Sequence, residues 1–354
     1  MHAHARLLRM VIVAGAACSA AHCAGPAAQA PLSIAGIAPA AGTAASGTVN
    51  IAPRNGDAGA SIPFTIIHGR TAGPVLLLVA GTHGAEYVPI VALQKLRTAI
   101  DPGTLRGSVL MVHVANMPSF LARTVYYSPA DNKNLNRVFP GKPDGTLSER
   151  IADVITKEFI DRATHVVDLH CGDGNESLRP YSYWITTGDP KVAEAAKAMA
   201  LAFGLDHIVV DGSRPTDPAA SVYLSNTAVT RGKPALTTET GGMAVVDEES
   251  TALIQQGVAG LMRHLGMRTD GPAPVATPVW IKQNEVLRAS HTGLFSAAVK
   301  KGERVTKGAK IGTITDFHGK VIEEIRATFD GEVLYVIGTP PISKGEPVAM
   351  LGSS

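Results

Sequence analysis

Short, strongly apolar runs alternate through the middle of this chain with longer stretches whose apolar positions recur at helical spacing. Val75-Leu76-Leu77-Leu78-Val79-Ala80 reads as a buried strand, and Val88, Val91, Ala92 and Leu96 then mark one face of a helix. Residues 62–67, 109–114, 166–169, 181–187, 207–210 and 234–239 read as further strands, with helices near 190–203 and 247–266. Thr146-Leu147-Ser148-Glu149 has capping-box spacing and opens another helix, whose buried face is Ile151, Val154, Ile155 and Phe159. Strands alternating with helices predict an α/β fold, a mixed and mostly parallel sheet with helices on both faces.

The pattern changes at both ends. Residues 1–30 carry Arg6 and Arg9, a short apolar core from Met10 to Ala17 and the triplet Ala28-Gln29-Ala30, which is a secretory signal pattern; an earlier cut near Ala21 is the other option. That core is too short for a permanent membrane span. The expected location is periplasmic or secreted; a lipoprotein anchored through Cys18 and a cytosolic protein with an alanine-rich tail are the alternatives. Residues 31–60, rich in Ala, Gly, Thr and Ser, read as a flexible lead-in, and 61–270 form the α/β unit. The Pro-rich stretch 271–279 reads as a linker. Residues 280–354 hold short strands and glycine turns, with similar KGE segments at 301–303 and 344–346. These look like the paired halves of a small all-β barrel of lipoyl or biotinyl type, although Lys320 lacks the setting of a modified lysine.

Of 354 residues, 45% are in the hydrophobic set and 18% are charged, enough for one large domain plus a small one. A net charge of +2 without a basic run gives no footprint for nucleic acid. Outside the leader, Cys171 stands alone, so no internal disulfide is expected.

The chemistry concentrates where strands end. His83 and Glu86, in Gly81-Thr82-His83-Gly84-Ala85-Glu86, sit on a strand-to-helix turn. His170 ends the strand of residues 166–169, with Asp168 on the same face to orient it. One carboxylate and two imidazoles make a catalytic zinc set, one ion per chain. Glu239 ends a third apolar strand and is the candidate general base. In the polar loop 132–141, Arg137 offers a planar fork for a carboxylate, with Asn136 as a neutral partner.

GTHGAE, NLNRVFPG, VDLHCG and TETGG, in this order, resemble the succinylglutamate desuccinylase and aspartoacylase family, a branch of the zinc carboxypeptidase superfamily; the likeness runs over about residues 62 to 354. The resemblance implies that 61–270 is a zinc-dependent catalytic domain of zinc-carboxypeptidase-like fold that deacylates an N-acyl amino acid or a related small anionic substrate. It implies His83, Glu86 and His170 as metal ligands, Asn136 and Arg137 as the substrate-carboxylate pair, and Glu239 as the catalytic glutamate. Where many relatives carry an arginine that polarises the scissile carbonyl, this chain has Tyr126, with Arg123 three residues earlier. Either Arg123 reaches in, or Tyr126 shares the oxyanion work. The alternatives are an exported zinc carboxypeptidase acting on peptides or cell-wall fragments, and an inactive metal-binding relative.

Overall fold

The computed structural model describes Met1, residues 29–54 and residues 56–354. The signal sequence expected over 1–30, with Cys18, therefore lies outside the described residues except for Met1, Gln29 and Ala30. No helix among the described residues is long and apolar enough to cross a membrane.

Ten strands precede residue 283: β1 (Thr43–Ile51), β2 (Ala60–His68), β3 (Thr71–Val79), β4 (Arg106–Val112), β5 (His165–His170), β6 (Glu176–Leu178), β7 (Tyr181–Ile185), β8 (His207–Asp211), β9 (Ala235–Glu239) and β10 (Val279–Ile281). All but β6 form one sheet in the order β1-β2-β4-β3-β5-β9-β7-β8-β10. Its centre, β4-β3-β5-β9, is parallel, and β1, β2 and the β7–β9 pairing are antiparallel. The helices are α1 (Tyr87–Ala99), α2 (Met117–Ala122), α3 (Leu147–Val154), α4 (Pro190–Phe203), α5 (Leu224–Val229) and α6 (Glu248–His264). Leu76 and Leu78 pack with α1, α4 and α6 on one face, whereas Leu77 and Val79 pack with α3 and α5 on the other. Both faces of β3 are therefore dry, which explains an unbroken apolar run in place of an alternating one.

Two expected boundaries are corrected. Residues 43–51, expected within the flexible lead-in, are the edge strand β1, paired with β2 along its whole length. Ala45, Gly47, Val49 and Ile51 alternate towards the sheet, and Gly47 leaves room for Ile37 and Phe64, whose atoms would lie within 3.0 Å of an added Cβ. Small side chains that read as flexible are here the fit for a crowded face. Val279–Ile281, expected at the junction of linker and barrel, is the last strand of the main sheet, parallel to β8.

The lead-in is also pinned electrostatically. The buried Arg150 guanidinium donates to Asp57 Oδ2 at 2.6 Å and to the Ala52 carbonyl at 2.7 Å. Burial pushes the Asp57 carboxyl up, but hydrogen bonds from the Gly59 N–H and Arg150 outweigh it and hold its pKa below the usual value. Asp57→Ala strands a buried cation and is expected to cost about 3 kcal/mol. Because the folded pKa is lowered, urea titrations should find the full deficit above about pH 4 and a shrinking one as the pH falls through the lowered value.

Beyond β10 the chain forms β11 (Gln283–Arg288), β12 (Gly293–Ala297), β13 (Arg304–Val305), β14 (Lys310–Thr315), β15 (Val321–Arg326), β16 (Gly331–Ile337), β17 (Pro341–Ile342) and β18 (Pro347–Ser353). These make two antiparallel sheets, β11-β18-β16-β13 and β15-β14-β12-β17, around a core that includes Phe295, Ile311, Ile314 and Leu351. The two KGE segments are alike: Glu303 accepts from the Lys300 N–H at 3.0 Å, and Glu346 from the Ser343 N–H at 2.7 Å. The all-β part is fastened to the α/β part by β6, which pairs with β16. Arg179 adds to the seam, 2.6 Å from Glu332 and 3.1 Å from Asp206.

Candidate metal centre and substrate cleft

The site lies beyond the carboxyl ends of β3, β5 and β9, where open α/β sheets hold their ligands. After β3, Gly81 takes φ +70° to turn the chain, and Gly84 passes so close to α2 that a Cβ there would sit 2.3 Å from the Ser119 carbonyl. These two glycines seat His83 and Glu86 at the mouth of α1. Glu86 occupies the N-cap position of α1 yet makes no side-chain cap. Its carboxylate is spent on imidazoles: Oε1 is 2.6 Å from His83 Nδ1 and Oε2 is 2.8 Å from His170 Nδ1.

One ligand atom each from His83, Glu86 and His170 can be chosen so that all lie within 4.8 Å of one another. The far nitrogens are occupied. His83 Nε2 is 3.0 Å from Asn134 Oδ1, and His170 Nε2 is 3.0 Å from Asp168 Oδ1. Partners on Nε2 set the ring orientation and leave both Nδ1 atoms turned towards Glu86, the arrangement of metal-ligating histidines. Glu86 Oε2 is buried without a well-formed hydrogen bond. A set of two imidazoles and one carboxylate, with an under-satisfied oxygen at its centre, fits a zinc ion.

Burial opposes charge on all three residues, but mutual attraction wins. Glu86 is held below the usual carboxylate range by His170 and His83. His170 is pushed well above the ordinary imidazole value by Asp168 and Glu86, and His83 is raised by Glu86. Protons on these rings compete with a cation for the same lone pairs.

Glu239 is registered with His170 across β5 and β9, and with Tyr181 across β9 and β7. Neighbours in register share a face, so His170, Glu239 and Tyr181 form one row. Burial drives the Glu239 carboxyl well above its usual pKa; His170 opposes the rise, and Glu86, Glu176 and Asp168 add to it.

The remaining candidates divide. Asn136 is buried: its Nδ2 donates to Asp168 Oδ2 at 3.1 Å and its Oδ1 accepts from the Leu224 N–H at 2.8 Å. Its amide is engaged on both sides by protein groups next to His170. Arg137 is exposed, 4.6 Å from the centre of the Tyr223 ring, whose other close cation is Arg214 at 3.8 Å. Arg123 is exposed in the left-handed C-cap of α2. Tyr126 is within the site, edge-on to His83 with ring centres 6.2 Å apart.

The sequence reading missed the acids behind Tyr126. The Tyr126 hydroxyl donates to Glu176, its N–H donates to Asp173 at 3.2 Å, and the Asp173 N–H donates to Glu176 at 3.2 Å. Burial, with Asp173 beside it, pushes Glu176 up to about 7, and burial with Glu86 pushes Asp173 up to about 6. Two acids in the glycine-rich turn after His170 were the available signal.

A cleft of about 420 Å³ opens above this centre, lined by residues that include Tyr126, Lys133, Asn134, Arg137, Arg288 and Pro347. Tyr126 and Asn134 both touch His83, so the cleft borders the cluster of His83, Glu86 and His170.

Residues 72–265 match the succinylglutamate desuccinylase/aspartoacylase catalytic domain. The chain is 31% identical over 299 residues to the N-alpha-acetyl-L-2,4-diaminobutyric acid deacetylase of Halomonas elongata, covering 82% of this chain and 85% of that protein. Among solved structures, the ectoine utilization protein EutE (DoeB) of Ruegeria pomeroyi superposes with a TM-score of 0.78 at 29% identity, covering 88% of this chain and 95% of that one. A succinylglutamate desuccinylase/aspartoacylase from Rhodobacter sphaeroides gives 0.77 at 27% identity with the same coverage, 88% and 95%.

Proposed function

The chain belongs to the succinylglutamate desuccinylase/aspartoacylase family, whose members are amide-bond deacylases, and from that premise we propose that it is a zinc-dependent hydrolase that removes a small acyl group from an N-acyl amino acid. The observation that carries this reading is the convergence of His83, Glu86 and His170 beside Glu239. A zinc ion held by three protein side chains would leave a position for water and substrate, acidify the one and polarise the other. Glu239 takes the proton of the attacking water and returns it to the leaving amine. Its raised pKa suits both halves of that task. Asp168 and Asn134 hold the two rings in place, and Asn136 holds Asp168. Arg137 meets the carboxylate of the amino acid, which leaves Asn136 a positioning role.

Tyr126 supplies the donor to the developing oxyanion. Its hydroxyl now points at Glu176, whose carboxyl is pushed by burial up to about 7, which favours the protonated acid. Protonated Glu176 donates to the phenol oxygen and frees the Tyr126 proton for the substrate carbonyl. Tyr126→Phe is expected to lower kcat about a hundredfold, and Arg123→Ala to leave it unchanged; the reverse order in steady-state assays would pass the role to Arg123.

The all-β domain, read as paired lipoyl-type halves, acts as a wall and not as a carrier. Arg288 and Pro347 narrow the cleft, which favours small substrates over the peptides of a carboxypeptidase. Retention of Glu239 speaks for turnover. The leader pattern supports a periplasmic or secreted site of action. The test is zinc analysis together with a hydrolysis screen of N-acyl amino acids and short peptides. Stoichiometric zinc without turnover of any amide would leave only metal binding.

A further inference from the structure

The walls of the cleft are cationic, and one of the cations comes from the other domain. Arg288 ends β11 where the register with β18 shifts, so that Leu287 faces Ala349 but Arg288 faces Pro347. An irregularity of this kind re-aims the side chains beside it, and both Arg288 and Pro347 line the cleft. The Arg288 guanidinium is anchored by the Gly345 carbonyl at 3.0 Å, and Arg137 by the Asn136 carbonyl at 2.8 Å. Among the described residues, neither guanidinium meets a carboxylate. Lys133, the third cation, does, with Glu149 3.1 Å away. The nearby acids Asp173 and Glu176 are buried and do not line the cleft.

A small substrate with its carboxylate on Arg137 must place the rest of its amino-acid part in the remaining volume, in the field of Arg288. Both guanidinia are exposed at the cleft wall; a second positive charge there has no counter-charge on the cleft wall, and like-charge juxtaposition disfavours its binding. The Halomonas relative is named for a substrate whose side chain ends in an amine. We propose that Arg288 is a specificity-determining residue that turns this chain away from N-acyl amino acids with a cationic side chain and towards those with an anionic one. The inference rests on the deacylase reading and adds the charge of the substrate's side chain to it. It works by repulsion of the wrong ligand as much as by attraction of the right one.

The test uses two probes, N-acetyl-L-glutamate and N-acetyl-L-2,4-diaminobutyrate, on the full chain loaded with zinc. Affinities are measured by calorimetry in the Glu239→Gln background, so that binding is read without turnover, and kcat/KM is measured with Glu239 intact. The glutamate compound should bind at least about tenfold more tightly, a difference of one tenfold step in free energy. Arg288→Ala should erase most of that ratio, Arg288→Lys keep it and Arg288→Glu invert it, with melting temperature as the check on folding. Equal affinity for the two probes, or a ratio unmoved in Arg288→Ala, overturns the inference while hydrolysis of either probe keeps the deacylase reading. If neither probe is bound or hydrolysed, both readings fall.

Discussion

Glu239→Gln is expected to lower kcat by about 10²- to 10⁴-fold, the range for loss of a positioned acid–base group, while zinc content and folding are kept. Glutamine has nearly the same shape, so the space beside His170 stays filled. It can neither accept the proton of the attacking water nor return one to the amine. Burial and neighbouring charges set the carboxyl's pKa, with no hydrogen bond among the causes, so no donor is orphaned by the change. Stability should move the other way from activity. A buried carboxyl with a raised pKa carries a penalty that grows as the pH rises through its ordinary value towards the raised one. The glutamine protein should therefore melt at the same temperature as the parent or higher at pH 8, with no gain at pH 4. Metal analysis, steady-state kinetics and thermal melts on one preparation test all three parts. A variant that holds zinc and still turns over at the parental rate would remove Glu239 from the mechanism.

The convergence of His83, Glu86 and His170 was legible because His170 ends one apolar strand and the other two lie on the turn after another, and strand ends in such sheets face the ligand side. Period-two alternation also placed Asp168 on the face of His170, and that contact is made at 3.0 Å. What escaped depends on pairings between distant segments. Asn136 lies in a polar loop, and the contact of its amide with the Leu224 N–H depends on the packing of α5 against the site. Tyr126 and Glu176 are 50 residues apart, and nothing in either local pattern announces their contact. Arg288 lines the cleft where β6 pairs with β16 and brings the all-β part against the face that carries His83. Edge strand β1 was lost for another reason: alanine and glycine mimic a linker, although Ala45, Gly47, Val49 and Ile51 alternate with Ser46, Thr48 and Asn50. Short helices such as α5, Leu224–Val229, rich in Ser, Asn and Thr, form through burial and not through propensity.

His170→Ala is expected to remove both bound zinc and measurable turnover, a larger loss than that of Glu239→Gln. Three protein ligands are the working minimum for such a site, and this change deletes one while freeing the carboxylates of Glu86 and Asp168 that the ring now separates. Those two buried acids then lose a positive partner, which should also cost about 3 kcal/mol of stability. Loss of activity alone would not distinguish a missing metal from a damaged fold, so the comparison needs two companions. Asp168→Asn keeps every ligand but weakens the orienting contact, and should lower zinc affinity about 10- to 100-fold. Activity would then return at high zinc. The parent protein stripped with a chelator should lose turnover and regain it on adding zinc, with a melting temperature that rises in step, since about a thousandfold excess over Kd adds about 4 kcal/mol. His170→Ala should answer to neither treatment. If it instead retains stoichiometric zinc, the ion sits elsewhere, and the row of His170 and Glu239 has another use.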